Sequence, residues 1–154
     1  MNQTQVLIVL GSQSDAEAVS GCGEILTRLG ITYRQVVSSA HRRPAATIQL
    51  VKDAEKDGVK VIVAAAGMAA HLPGFIASQT ILPVIGVPLP GSALAGVDSL
   101  LSMVQMPSGM PVATMAIGSH GAINAAILAA EILALGDENI RSKLVAYRQE
   151  LGGG

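Results

Sequence analysis

Apolar positions along this chain fall in two rhythms that alternate from one end to the other. Val6 to Leu10 is an unbroken apolar run, VLIVL, followed at once by the turn-forming GSQSD. A short continuous run bounded by turn residues predicts a strand buried on both faces. Ser14 with Glu17 three residues on has the form of a capping box, which predicts a helix from there to about Leu29, stopped at Gly30. The β-branched segment Thr32 to Val37 predicts a second strand. After the loop SSAHRR, Pro44 suits the first turn of a helix that runs to Asp57 and ends at Gly58. Val59 to Ala65 predicts the third strand, and AGMAAHLPG leads from it into a short helix near 74–80. A fourth strand is expected at Val84–Val87 and a helix near Val97–Gln105. A fifth strand near Val112–Ala116 and an alanine-rich helix from Ser119 to Leu135 follow. A charged amphipathic helix at about 137–151 closes the chain.

Strands that alternate with helices imply right-handed crossovers and a parallel sheet covered on both faces. The expected architecture is α/β: a three-layer α/β/α sandwich on a five-stranded parallel sheet, flavodoxin-like. With 154 residues the chain is read as a single domain spanning 1–154.

Charge changes this picture. Charged residues make up 14% of the chain, against about 25% in an ordinary domain. Residues 1–60 carry thirteen of the 21 formal charges and residues 131–154 carry seven; between Val61 and Ala130 only Asp98 is charged. Seventy residues with one charge exceed what a monomer of this size can hide. A membrane span is one way to cover them, but the stretch is cut by Pro73, Pro83, Pro88, Pro90, Pro107 and Pro111. A large interface in a homo-oligomer is therefore expected. The start, MNQTQVLIVLGSQSD, lacks a basic signal-peptide region, so the chain reads as cytoplasmic. A net charge of -1 and three aromatic residues argue against a nucleic-acid partner. The lone Cys22 excludes an internal disulfide, and three scattered histidines lack metal-ligand spacing.

In a sheet of this kind ligands bind beyond the carboxyl ends of the strands. Three loops meet there: Gly11–Asp15, Ser38–Arg43 and Ala66–Gly74. They hold His41 and His71, two of the three histidines, and the adjacent pair Arg42 and Arg43. Gly11 and Ser12 would let backbone approach an anion at the amino end of the first helix. Ser39 adds a hydroxyl and Arg42 a fork that matches phosphate oxygens. Asp15 would repel phosphate and suits a ribose hydroxyl or ring amine. The imidazole of His41 can both give and accept a proton, which suits proton transfer. The plainer readings are that Ser14 and Asp15 only cap a helix, that the arginines face solvent, and that His120 merely opens a helix.

Six segments carry a resemblance: GSQSD at 11–15, SAHR at 39–42, AGMAAHLPG at 66–74, GVP at 86–88, GVDSLLSMVQMPSGMPVATMAIG at 96–118 and GAINAAILAA at 121–130. In this order, over about residues 6–135, they resemble the PurE family of 5-(carboxyamino)imidazole ribonucleotide mutases of purine biosynthesis. The resemblance implies an isomerase needing neither cofactor nor metal. It would move a carboxyl group from an exocyclic nitrogen to a ring carbon, through bound aminoimidazole ribonucleotide and trapped carbon dioxide. It implies His41 as proton shuttle, with Ser12, Asp15, Ser39, Ala40 and Arg42 around the ribose phosphate and nearby groups. Gly67, Ala70, His71 and Leu72 match the loop over the reacting end. It also implies an octamer, and a functional link to the ATP-dependent synthase that makes the carbamate. The chain departs at Arg43, where the family commonly has threonine, and at LPGSALA, 89–95. The alternatives are a sister carboxylase that uses free carbon dioxide, in which AGRSN typically replaces AGMAAHLPG, and a non-catalytic nucleotide-binding module.

Overall fold

The computed structural model describes residues 3–153. The chain runs β1 (Val6–Leu10), a 3-10 turn (Gln13–Asp15), α1 (Ser20–Arg28), β2 (Tyr33–Val37), α2 (Pro44–Lys56) and β3 (Val61–Gly67). It continues through α3 (Leu72–Ala77), β4 (Val84–Leu89), α4 (Val97–Val104), β5 (Ala113–Thr114), α5 (Ser119–Leu133) and α6 (Glu138–Leu151). All strands pair in parallel, in the order β2-β1-β3-β4-β5. This is the flavodoxin-like α/β sandwich that the pattern predicted.

β1 sits inside the sheet, and all five of its side chains are fully buried. Successive residues point to opposite faces. Val6, Ile8 and Leu10 join the core beneath α1 and α5, while Leu7 and Val9 join the core beneath α2 and α3. Each such side chain removed from water contributes roughly 1.5–3 kcal/mol. On the first face α5 presents Ala122, Ala125, Ala126, Ala129 and Ala130, all buried, and these small side chains let it lie close. α6 then docks through Ile140 and Leu144. Arg148 pairs with Glu131 at 2.9 Å, and Arg28 pairs with Glu150 while lying 5.1 Å from the Tyr147 ring centre.

Register sets the site. Leu10 stands level with Val37 on one side and Ala65 on the other. The Ser38 N–H donates to Leu10 O at 2.9 Å, and the Gly11 N–H to Ala65 O at 3.0 Å. Three loops therefore leave the sheet side by side. The chain goes from β1 to one neighbour and then crosses to the other, so a crevice opens between β1 and β3.

Several boundaries differ from expectation. The capping box is formed by Ser12 and Asp15, two residues before the Ser14–Glu17 pair. Bonds from Asp15 N–H to Ser12 O and from Ala16 N–H to Gln13 O are of the short i to i+3 kind, and α1 proper begins only at Ser20. β3 lies two residues later than predicted, because Val61 pairs with Val6 and Gly67 with Leu89. α3 starts at Leu72 and ends at Ala77, and β5 is a two-residue edge strand after Pro111. Gly30 terminates α1 as expected, with a φ of 72°.

Candidate active site

The three loops enclose a cavity of about 340 Å³. Ser12 and Asp15 line it from the first loop, Ser39 to Arg42 from the second, and Gly67, His71 and Leu72 from the third. It is not the largest hollow. A groove of about 600 Å³ beside α1 holds no histidine, and one of about 590 Å³ at the other end of the sheet holds no charged side chain.

The first loop is tied by its own polar groups. The Ser12 N–H donates to Asp15 Oδ2 at 3.0 Å, and the Ser14 N–H donates to Ser12 Oγ at 3.3 Å. The two serine hydroxyls lie 3.0 Å apart. This corrects the helix-dipole expectation. The amino end here is a single three-residue turn, and the Ser12 N–H already has a carboxylate partner. The groups at this end that still have donors to offer an anion are the serine hydroxyls and the Arg42 guanidinium. Burial pushes the Asp15 carboxyl above the usual range, and the bond from Ser12 N–H offsets part of that.

In the second loop Ser39 Oγ accepts from the Arg42 N–H at 3.3 Å, and Ser39 O accepts from the Arg43 N–H at 2.9 Å. Beneath them Ser38 and Thr47 share a buried hydroxyl contact of 2.7 Å, which anchors the loop to α2. Arg42 faces both the main cavity and an adjoining cleft of about 430 Å³, and Arg43 lines only the cleft.

The third loop turns back on itself. The Ala70 N–H donates to Met68 O at 2.9 Å and the His71 N–H to Ala69 O at 2.8 Å. This winding brings His71 Nδ1 to 2.9 Å from His41 Nε2, with the rings edge to face at 83°. Both imidazoles remain exposed to solvent.

Nine of the ten predicted site residues thus line one cavity. Ala70 does not; it is 1% exposed and packs in the core under α3, where it supports the loop. Gly91, from the loop after β4, also lines the cavity, and the position of that loop at the same sheet end was the signal for it. Met68 lines it too; it lies within the third loop, which the sequence places at the site, but was not singled out there. His120 is exposed in the first turn of α5. Cys22 is fully buried, and burial pushes its thiol up to about 12. Among the described residues no helix is long and apolar enough to cross a membrane.

The match with known proteins covers the whole of this framework. The model of the AIR carboxylase family matches residues 5–152. The chain belongs to the AIR carboxylase family. Its relatives in the family include the N5-carboxyaminoimidazole ribonucleotide mutase of Haemophilus influenzae, 50% identical over 94% of this chain and 88% of that one. The protein of the same name from Bacillus subtilis is 50% identical over 96% of this chain and 91% of that one. The crystal structure of Treponema denticola PurE shares the fold with a TM-score of 0.88 at 30% identity, covering 97% of this chain and 92% of that one.

Proposed function

We propose that this family member is an N5-carboxyaminoimidazole ribonucleotide mutase of purine biosynthesis. The observation that carries the reading is the His41–His71 pair beside Ser12, Ser39 and Arg42 in one cavity. It joins a proton-transfer group to an anion-binding group on a chain about half identical to mutases over nearly its full length.

Arg42 holds the ribose phosphate with Ser12 and Ser39, and Asp15 meets a ribose hydroxyl or ring amine. Ala40 and Leu72 wall the ring. The bond from the exocyclic nitrogen to the carboxyl carbon breaks, its electron pair stays on nitrogen, and His41 gives that nitrogen a proton. Carbon dioxide remains in the cavity. The electron-rich ring carbon then forms a bond to it, and the proton on that carbon passes to His41. Atoms and charges balance, so the residues need supply only position, a proton relay and exclusion of water. His71, in contact with the Nε2 of His41, orients the imidazole and bears on which nitrogen holds the proton.

The working form in this reading is a cytoplasmic homo-oligomer, an octamer by resemblance, fed by an ATP-dependent synthase. Two features support association. Val97, Leu101 and Val104 form an exposed apolar stripe along α4. Beside it the Asp98 Oδ1 is shut from solvent with no hydrogen-bond partner among the described residues.

A paired assay tests the reaction. One arm supplies the carbamate substrate in bicarbonate-depleted buffer; the other supplies aminoimidazole ribonucleotide with bicarbonate. Carbon-carboxylated product formed readily in the first arm, and only at high bicarbonate in the second, is the expected result. Efficient product only in the second arm makes the chain a carboxylase.

A further inference from the structure

The groups assigned above to the ribose phosphate mark where it lies. Ser12, Ser39 and Arg42 line both the histidine cavity and the adjoining cleft of about 430 Å³, so they form the neck between the two. His41 and His71 line only the cavity, and Arg43 and Ala46 line only the cleft. A ligand with its ring at the histidines and its phosphate on the neck turns the far side of that phosphate to the cleft. Arg42 and Arg43 are the charged side chains that line the cleft. A phosphate monoester carries about -1.5 to -2 charges near neutral pH. Arg42 offsets one of them, while Asp15 adds an acidic group on the cavity side. The fold alone gives no reason for a second cation here. Arg43 is the N-cap of the 13-residue α2, makes no side-chain capping bond, and is followed by no acidic residue in the first turn. A cation at the positive end of a helix dipole is unfavourable. The capping that Arg43 does perform uses its backbone, since Arg43 O accepts from the Thr47 N–H at 3.1 Å and from Thr47 Oγ1 at 3.2 Å. The guanidinium is left over, and an anion on the neck answers it.

We propose that Arg43 is a second phosphate-binding residue, which meets the ribose phosphate from the cleft while Arg42 holds it on the neck. The pair makes the chain select a doubly charged phosphate ester over the uncharged nucleoside. The proposal rests on the mutase reading of the site, which supplies the phosphate. It adds a specificity residue that lies outside the cavity itself.

The test compares two ligands that differ only in the phosphate: aminoimidazole ribonucleotide and its dephosphorylated nucleoside. Calorimetry on the intact enzyme reads the Kd of the first directly and of the second by displacement. Arg43→Gln keeps a long polar side chain and removes the charge. Its Kd for the ribonucleotide is expected to rise roughly 10-fold, while its Kd for the nucleoside stays within about twofold. Arg43→Lys keeps the charge and is expected to recover most of the loss. Unchanged ribonucleotide affinity in Arg43→Gln overturns the proposal. Equal weakening of both ligands overturns it too, because the side chain then acts through the loop and not on the phosphate. Light scattering is run on the same samples; a smaller particle in Arg43→Gln places the guanidinium in a subunit contact and overturns the proposal as well. If the wild type binds the ribonucleotide no better than the nucleoside, the neck holds no phosphate and the mutase reading itself fails, whatever the variants do.

Discussion

His41 Nε2 and His71 Nδ1 lie 2.9 Å apart, although 30 residues separate them and the strand between their loops belongs to neither. At that distance one nitrogen donates and the other accepts, so a single hydrogen occupies the line between the rings. A proton taken up or released by His41 is therefore felt by His71 at once.

Replacing His41 by asparagine keeps a polar group of similar reach but removes the titrating ring. Turnover is expected to fall by roughly 10²–10⁴, while substrate still binds. Steady-state kinetics with a separate binding measurement checks this. Unchanged turnover would remove His41 from the proton relay.

Arg42→Ala removes a charge-assisted partner of phosphate. Such bonds contribute about 1.5–3 kcal/mol, so KM should rise roughly 10- to 100-fold with a smaller change in kcat. An unaltered KM counts against Arg42 as the phosphate ligand.

Asp15 predicts a pH effect with a definite sign. Burial raises its carboxyl, so the folded chain binds that proton more tightly than the unfolded chain does. Its stabilising share is complete below the usual carboxylate range and is lost as pH rises through the raised value. Asp15→Asn removes the half-buried charge and keeps an acceptor for the Ser12 N–H. The variant should melt above the wild type at pH 7, with the gap narrowing as pH falls through that window. Calorimetry across pH reads this directly.

Assembly is tested on α4. A charge placed among Val97, Leu101 and Val104 would have to be buried in any interface formed by that stripe. Light scattering should show Leu101→Glu as a smaller species than the wild type. A wild type that is a stable monomer would contradict the oligomer itself.

A fold prediction concerns Gly121, in the first turn of α5. A methyl group there would sit 1.7 Å from Ala116 O, a backbone atom with no free rotation to yield. Gly121→Ala should cost about 3 kcal/mol and lower the melting midpoint by roughly 6–12 °C. Thermal unfolding measures it.

The layers were legible because burial on both faces writes an unbroken apolar run such as VLIVL, and the turn residues GSQSD directly after it mark it as a strand. The start of the first helix was not, since Ser12–Asp15 and Ser14–Glu17 are overlapping versions of one signal. What decides between them is where β1 ends and the chain first turns, and that is set by pairing with β3. The third strand slipped for the same reason: its alanines have little strand preference of their own and are held by β4. The site was legible as three loops because topology alone brings them together. That Ala70 turns into the core was not legible, because one alanine among several in a loop of small residues gives no sign of which way it faces. The contact between the imidazoles depends on two tight bonds in 68–71, and the left-handed Met68 on a dihedral angle; neither is written in residue type.

The crossing from β1 to its two neighbours has a consequence for how such a chain can change. Every polar side chain of the cavity comes from before Pro73, while the stripe on α4 comes after it. In the proposed assembly, ligand binding and the α4 contact therefore draw on separate segments of the sequence. The cavity loops and the α4 stripe lie in different stretches of the chain, so substitutions in one leave the residues of the other unchanged.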